Sequence, residues 1–128
     1  MITGYSTKFM GNPNSGLGLE FNIPSKIKGH TVTAIADRAL REGITRIFGI
    51  TLPPTIKEIG DNAFSWCKSL TNLTISDGVE NIGEAAFFRC NSLNEVTIPR
   101  SVTQIDMHAF GWDYVDDYDV RNENLVIK

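Results

Sequence analysis

From Leu70 to Ile75 the buried-type residues Leu73 and Ile75 alternate with the polar Asn72 and Thr74, and this period of two predicts a short strand with one face covered. Ser76-Asp77-Gly78 follows with turn chemistry. Val79-Glu80-Asn81-Ile82 then sets apolar side chains three apart, ahead of Gly83, Glu84 and the pair Ala86-Phe87. This predicts a second extended segment and a compact corner that returns the chain toward the next strand. One strand, one turn, one extended segment and one Ala-Phe corner make a single coil.

The coil recurs. Adding 23 to each number carries Ile59, Gly60, Ala63, Phe64 and Cys67 onto Ile82, Gly83, Ala86, Phe87 and Cys90. A second addition reaches Ile105, Ala109 and Phe110. Ile47, Leu70 and Leu93 correspond in the same way, as do Ile50, Leu73 and Val96, then Leu52, Ile75 and Ile98, then Ile56, Val79 and Val102. Upstream, Val32, Ile35, Ala39 and Leu40 match Ile56, Ile59, Ala63 and Phe64 at a spacing of 24, which places one extra residue in the Arg41 to Arg46 loop. A period in this range is the signature of a solenoid, because one coil cannot bury its apolar face alone and must lie against its neighbours.

The expected fold is therefore a solenoid of short parallel strands with turns and short helical or 3-10 corners, in about four to five coils of about 23 residues. Its core is a set of ladders, with Leu52, Ile75 and Ile98 on one side and Phe64, Phe87 and Phe110 on the other. The expected divisions are an opening coil with an inserted loop over 1–22, repeats over 23–46, 47–69, 70–92 and 93–111, and a terminal cap over 112–128. Within the cap, Asn124 to Ile127 reads as a last strand.

Composition narrows the function classes. The 128 residues carry a formal charge of −3, with no run of Lys or Arg to gather phosphates, so nucleic acid is not an expected partner. No apolar stretch approaches the ~20 residues of a spanning helix, and Met1 to Tyr5 lacks the basic start and apolar stretch of a signal peptide. His30 and His108 lie 78 residues apart in different repeats, and no Ser or Cys shares a motif with either, so no catalytic constellation and no cofactor are expected. Asp113, Asp116, Asp117 and Asp119 have neither the turn Gly nor the closing Glu of a calcium loop and read as an acidic surface segment. Cys67 and Cys90 share one repeat position and read as buried thiols in adjacent coils, the alternative being a bridge between them, although equivalent side chains in a stack run parallel rather than face each other. Asn72-Leu73-Thr74 matches a glycosylation sequon, a three-residue pattern too common to carry a role.

At these residues the chain resembles the BspA-type, or Treponema pallidum-type, leucine-rich repeats. That unit runs Leu-x-x-Val-x-Ile-Pro, then Val-x-x-Ile-Gly, then Ala-Phe-x-x-Cys-x-Ser-Leu, and residues 70–93 and 93–110 reproduce it. Ile2 to Tyr5 and Ile23 to Ile35 resemble the first repeat of the family, where a loop ending in Gly precedes Val-Thr, and the resemblance covers roughly residues 2 to 111. The chain departs from the general pattern in three places. Thr55, Gly78 and Ser101 stand where an asparagine ladder would run, Lys8 to Asn14 is inserted in the first coil, and Gly111 to Asp119 replaces the Cys expected after Phe110. The resemblance implies a surface-exposed or secreted protein that engages other proteins, host or matrix components among them. Without a signal peptide, the chain reads as a piece of a longer secreted protein or one lacking its leader, the alternative being a cytoplasmic homologue.

The candidate protein-binding positions are those that point away from the core along the strands: Arg46, Phe48, Thr51, Asn72, Thr74, Asn94, Glu95 and Thr97, with Trp66 and Phe88 on other edges. The competing readings are a solvated strand face, since Thr suits exposed strand positions for β-propensity alone, and a spacer segment of a longer array with no binding of its own.

Overall fold

The computed structural model describes residues 19–40, 47–106, 108–110 and 126–127. Two ladders of parallel strands run through it. On the first side β1 (Leu19–Asn22) pairs with β5 (Ile47–Thr51), and β5 pairs with β7 (Asn72–Thr74). Further along the same side β9 (Glu95–Val96) pairs with β11 (Val126–Ile127). On the second side β4 (Ala34–Ile35), β6 (Glu58–Ile59), β8 (Asn81–Ile82) and β10 (Gln104–Ile105) form one four-stranded parallel sheet. The remaining strands, β2 (Lys26–Ile27) and β3 (His30–Thr31), pair with each other antiparallel.

The strand registers follow the sequence period. Ile50 faces Leu73 and Ile59 faces Ile82, each 23 residues on, while Ile35 faces Ile59 at 24. Parallel neighbours offset by one whole coil place identical repeat positions side by side at ~4.8 Å, and this turns a sequence period into side-chain ladders. From β1 to β5 the offset is 29, Phe21 facing Ile50. The five residues beyond the spacing of 24 are taken up by the β2–β3 hairpin, where a plain loop was expected. Its turn is Lys28-Gly29 with φ of 51° and 80°, two consecutive left-handed residues as a two-residue hairpin requires.

A third line of hydrogen bonds joins the corners. Leu40 donates its N–H to Ala63 O at 2.8 Å, Phe64 to Ala86 O at 2.8 Å and Phe87 to Ala109 O at 2.7 Å, always one coil onward. Within each corner the bonds are three residues apart, as in Ala63 N to Gly60 O, Cys67 N to Phe64 O and Leu70 N to Cys67 O. The corners are therefore successive turns, where short helical or 3-10 segments were expected. The cause is the backbone at Asn62, Trp66, Ala85 and Arg89, whose φ values lie between 53° and 67°. A left-handed residue every four positions breaks any right-handed helix and frees N–H and C=O groups to bond the next coil.

The core is the space between these three lines. Phe64, Phe87 and Phe110 stack with centroids 5.3 and 5.2 Å apart and planes within 12°. Ile56, Ile59, Leu70, Val79, Leu93 and Val96 are fully covered. Leu52 and Ile75 are buried and Ile98 is partly so, which is the inward ladder read from the sequence. Each aromatic ring contributes on the order of 150–250 Å² of burial, and that area exists only when the neighbouring coil is present.

Candidate functional site

The outward positions of the first side are set by strand alternation. Leu73 is buried between the exposed Asn72 and Thr74, and Val96 between the exposed Glu95 and Thr97. Stacking brings these together: Asn72, Thr74, Asn94, Glu95 and Thr97 line one shallow depression of about 400 Å³. Thr51 is exposed beside Thr74 through the β5–β7 register. Phe48, 38% exposed, lies off the depression, its carbonyl accepting both the N–H and the Oγ1 hydroxyl of Thr71. Arg46 lies outside the described residues, as do the inserted Lys8 to Asn14 segment and the acidic Asp113 to Asp119 segment.

Sequence reasoning missed part of this lining. Asp77 and Pro99 close the depression from the turns that follow the strands, a position that only the three-dimensional coil reveals. It also missed a seam. β7 and β9 are neighbours, yet hydrogen-bonded pairing stops at β7 and resumes between β9 and β11, and the depression opens where the ladder is interrupted.

A larger hollow of about 760 Å³ lies on the second sheet, with Asp37, Glu58, Asp61, Glu84 and Asp106 in its lining. Three of these acids do structural work. Asp37 Oδ1 accepts the N–H of Asp61, Asp61 Oδ1 accepts that of Glu84, each at 2.8 Å, and Asp106 Oδ1 accepts that of His108 at 2.9 Å. Among the described residues no group of three His, Cys, Asp or Glu is disposed to hold a metal ion.

Trp66 and Phe88 meet at the corner, edge to face with centroids 6.2 Å apart. Arg89 Cζ sits 4.9 Å from the Trp66 ring centre and 5.5 Å from that of Phe88, and Lys68 Nζ is 5.2 Å from Trp66. The two cations escaped the sequence reading, although Arg89 stands 23 residues after Trp66 at the same repeat position. Deeper in the corner, Cys67 and Cys90 are buried free thiols, Cys67 Sγ donating to Leu40 O at 3.5 Å and Cys90 Sγ to Phe64 O at 3.1 Å. A side-chain hydrogen bond with Cys67, with burial added, pushes the Cys90 thiol well above its ordinary range.

Stacked coils of this period, with short parallel strands on one side and an Ala-Phe corner on the other, define a leucine-rich repeat protein. The chain belongs to the BspA type leucine rich repeat family, whose model matches it in six copies over residues 20–125. A comparison with curated proteins gives no match. Among solved structures the chain is similar to a leucine-rich repeat protein from Bacteroides capillosus, at 28% identity and TM-score 0.74, covering 98% of this chain and 84% of that one. It shares the fold of the T. pallidum leucine-rich repeat protein at 24% identity and TM-score 0.66, covering 84% of this chain and 66% of that one. It is also similar to a leucine-rich cell surface protein of Faecalibacterium prausnitzii, at 36% identity and TM-score 0.59, over 70% of this chain and 26% of that one. The chain thus spans just under two thirds of the T. pallidum protein's length and about a quarter of the F. prausnitzii protein's. Leucine-rich repeat domains generally bind other proteins, and no helix among the described residues is long and apolar enough to cross a membrane.

Proposed function

We propose that the chain is a non-catalytic recognition module of a cell-surface or secreted protein, and that it binds a protein partner through the first strand side. The observation that carries this reading is the depression between β7 and β9, where Asn72, Thr74, Asn94, Glu95 and Thr97 converge across two coils. These side chains are polar and exposed, and each strand beneath them is hydrogen-bonded on its far side, β7 to β5 and β9 to β11, which lowers the ordering cost a partner meets. The surface location rests on the similarity to the F. prausnitzii cell surface protein.

The test is a binding screen of the purified chain against extracellular-matrix and cell-surface proteins, with an Asn72→Ala/Glu95→Lys variant beside it. Both positions are exposed, so the variant keeps the fold, checked by circular dichroism. Saturable binding that the double variant loses supports the reading. A stable monomer that binds nothing, or binds equally well when altered, overturns it and leaves a spacer segment in its place.

A further inference from the structure

We propose that the corner formed by Trp66, Lys68, Phe88 and Arg89 is a second recognition site, separate from the strand side, and that it takes a carboxylate-rich segment of a partner protein. The sequence places Trp66 and Arg89 at one repeat position, and the turn geometry gives both a left-handed backbone, φ 67° and 62°. A left-handed φ is unfavourable for so large a side chain as Trp. It is held here by the Trp66 N–H bond to Phe88 O at 2.7 Å, which locks the two coils together at that point. Two half-buried rings and two cations are thereby fixed in one small area.

Electrostatics points to the occupant. The Arg89 guanidinium and the Lys68 ammonium both lie within about 5 Å of the Trp66 ring centre, at 4.9 and 5.2 Å. None of the ion pairs formed among the described residues includes either one. Two like charges thus stand over one ring on a chain whose formal net charge is −3, an arrangement that a carboxylate would neutralise. The rings offset only part of that repulsion. Arg89 Nε is shielded from solvent and has no hydrogen-bond acceptor among the described residues, so the guanidinium keeps donors for an incoming carboxylate. A guanidinium fork matches a carboxylate in a paired, charge-assisted geometry. Trp and Arg packed together in a partly desolvated cluster are the residue types that anchor interfaces.

The experiment is a 1H–15N NMR titration of the ¹⁵N-labelled chain with an acetylated hexaglutamate peptide, with hexalysine as control. The expected result is saturable shifts at Ser65, Trp66 including its indole N–H, Phe88 and Arg89, with none from hexalysine. A Lys68→Gln/Arg89→Gln variant weakens binding at least about tenfold, the loss of one charge-assisted hydrogen bond or more. Should that variant fail to fold, Lys68→Gln alone, at an exposed position, is expected to weaken binding measurably. Equal shifts with both peptides, or binding that neither variant changes, overturns the proposal. Shifts confined to Asn72, Thr74 and Glu95 also overturn it while leaving the strand-side reading intact. Sedimentation of the chain with phosphatidylglycerol vesicles, without any response to hexaglutamate, assigns the cations to a lipid surface and overturns it as well.

Discussion

Gly83 sits directly against Asp61 of the preceding coil: a Cβ built on Gly83 falls 2.7 Å from Asp61 N and 2.8 Å from the carbonyl carbon of Gly60, with the Asp61 carboxylate nearer still. Gly60 stands in the same relation to Asp37. The Gly of each Ile-Gly pair is thus explained by close approach, since a carboxylate that caps the next coil's N–H must pass over it. Gly83→Ala is expected to destabilise the chain by about 1–3 kcal/mol, the usual range for overpacking, measured by urea denaturation. Adding Asp61→Ala recovers only part of that loss, because backbone atoms also stand in the way. Full recovery would show that the side chain alone sets the Gly requirement.

The phenylalanine stack gives a position-dependent expectation. Phe87 has a ring on both sides, whereas Phe110 ends the stack among the described residues and is 8% exposed. Phe87→Ala should cost about 3–5 kcal/mol, which threatens folding in a chain of this size. Phe87→Leu is the measurable form, and it should cost more than Phe110→Leu in thermal or urea unfolding. Equal losses would mean that the coils do not depend on both neighbours.

The ladders were legible in the sequence because a solenoid makes its core from equivalent positions: once Phe64 and Phe87 are 23 apart in a repeating pattern, their stacking needs no further information. Strand alternation likewise placed Asn72, Thr74, Glu95 and Thr97 outward. What the period could not disclose is how the chain passes between those points. The corners read as helical because Ala, Phe and Cys carry no turn signal, and the left-handed φ at Trp66 goes with its N–H bond to Phe88 O in the next coil rather than with residue preference. The β2–β3 hairpin was hidden for a related reason, since Lys28-Gly29 marks a loop end but not the antiparallel pairing beside it. The seam at β7 and β9 has no sequence counterpart, as Asn94-Glu95-Val96 keeps the polar-polar-apolar pattern of Thr71-Asn72-Leu73.

Ala85 offers a way to raise stability. It occupies the left-handed region at φ 53°, where a Cβ costs roughly 1–2 kcal/mol. Its counterpart one coil earlier is Asn62, at φ 56°, and Asn tolerates this conformation because its short side chain bonds locally. Ala85→Asn is expected to stabilise by about 0.5–1 kcal/mol, read as a rise in the urea midpoint at unchanged slope. A fall in the midpoint would show that packing around the Ala85 methyl outweighs the backbone preference.

Cys90 makes stability depend on pH on the alkaline side. Its hydrogen bond with the Cys67 thiol and its burial raise the folded-state pKa above the ordinary thiol value of 9.0, so the thiol remains protonated in the folded chain while the unfolded chain begins to ionise. Above that value the unfolded state binds fewer protons than the native state, and the linkage slope is negative, about −1.4 kcal/mol per pH unit for one group. The contribution is fully present below pH 9.0 and is lost as pH rises from there toward the folded-state value. Urea unfolding of the parent chain and of Cys90→Ala between pH 7 and pH 10.5 isolates it, because other titrating groups are common to both. The parent should lose stability more steeply than the variant above about pH 9, and the native thiol should react with a disulfide reagent no faster than the chain opens. Parallel pH curves, or rapid labelling of native Cys90 at neutral pH, would mean that the thiol ionises in place.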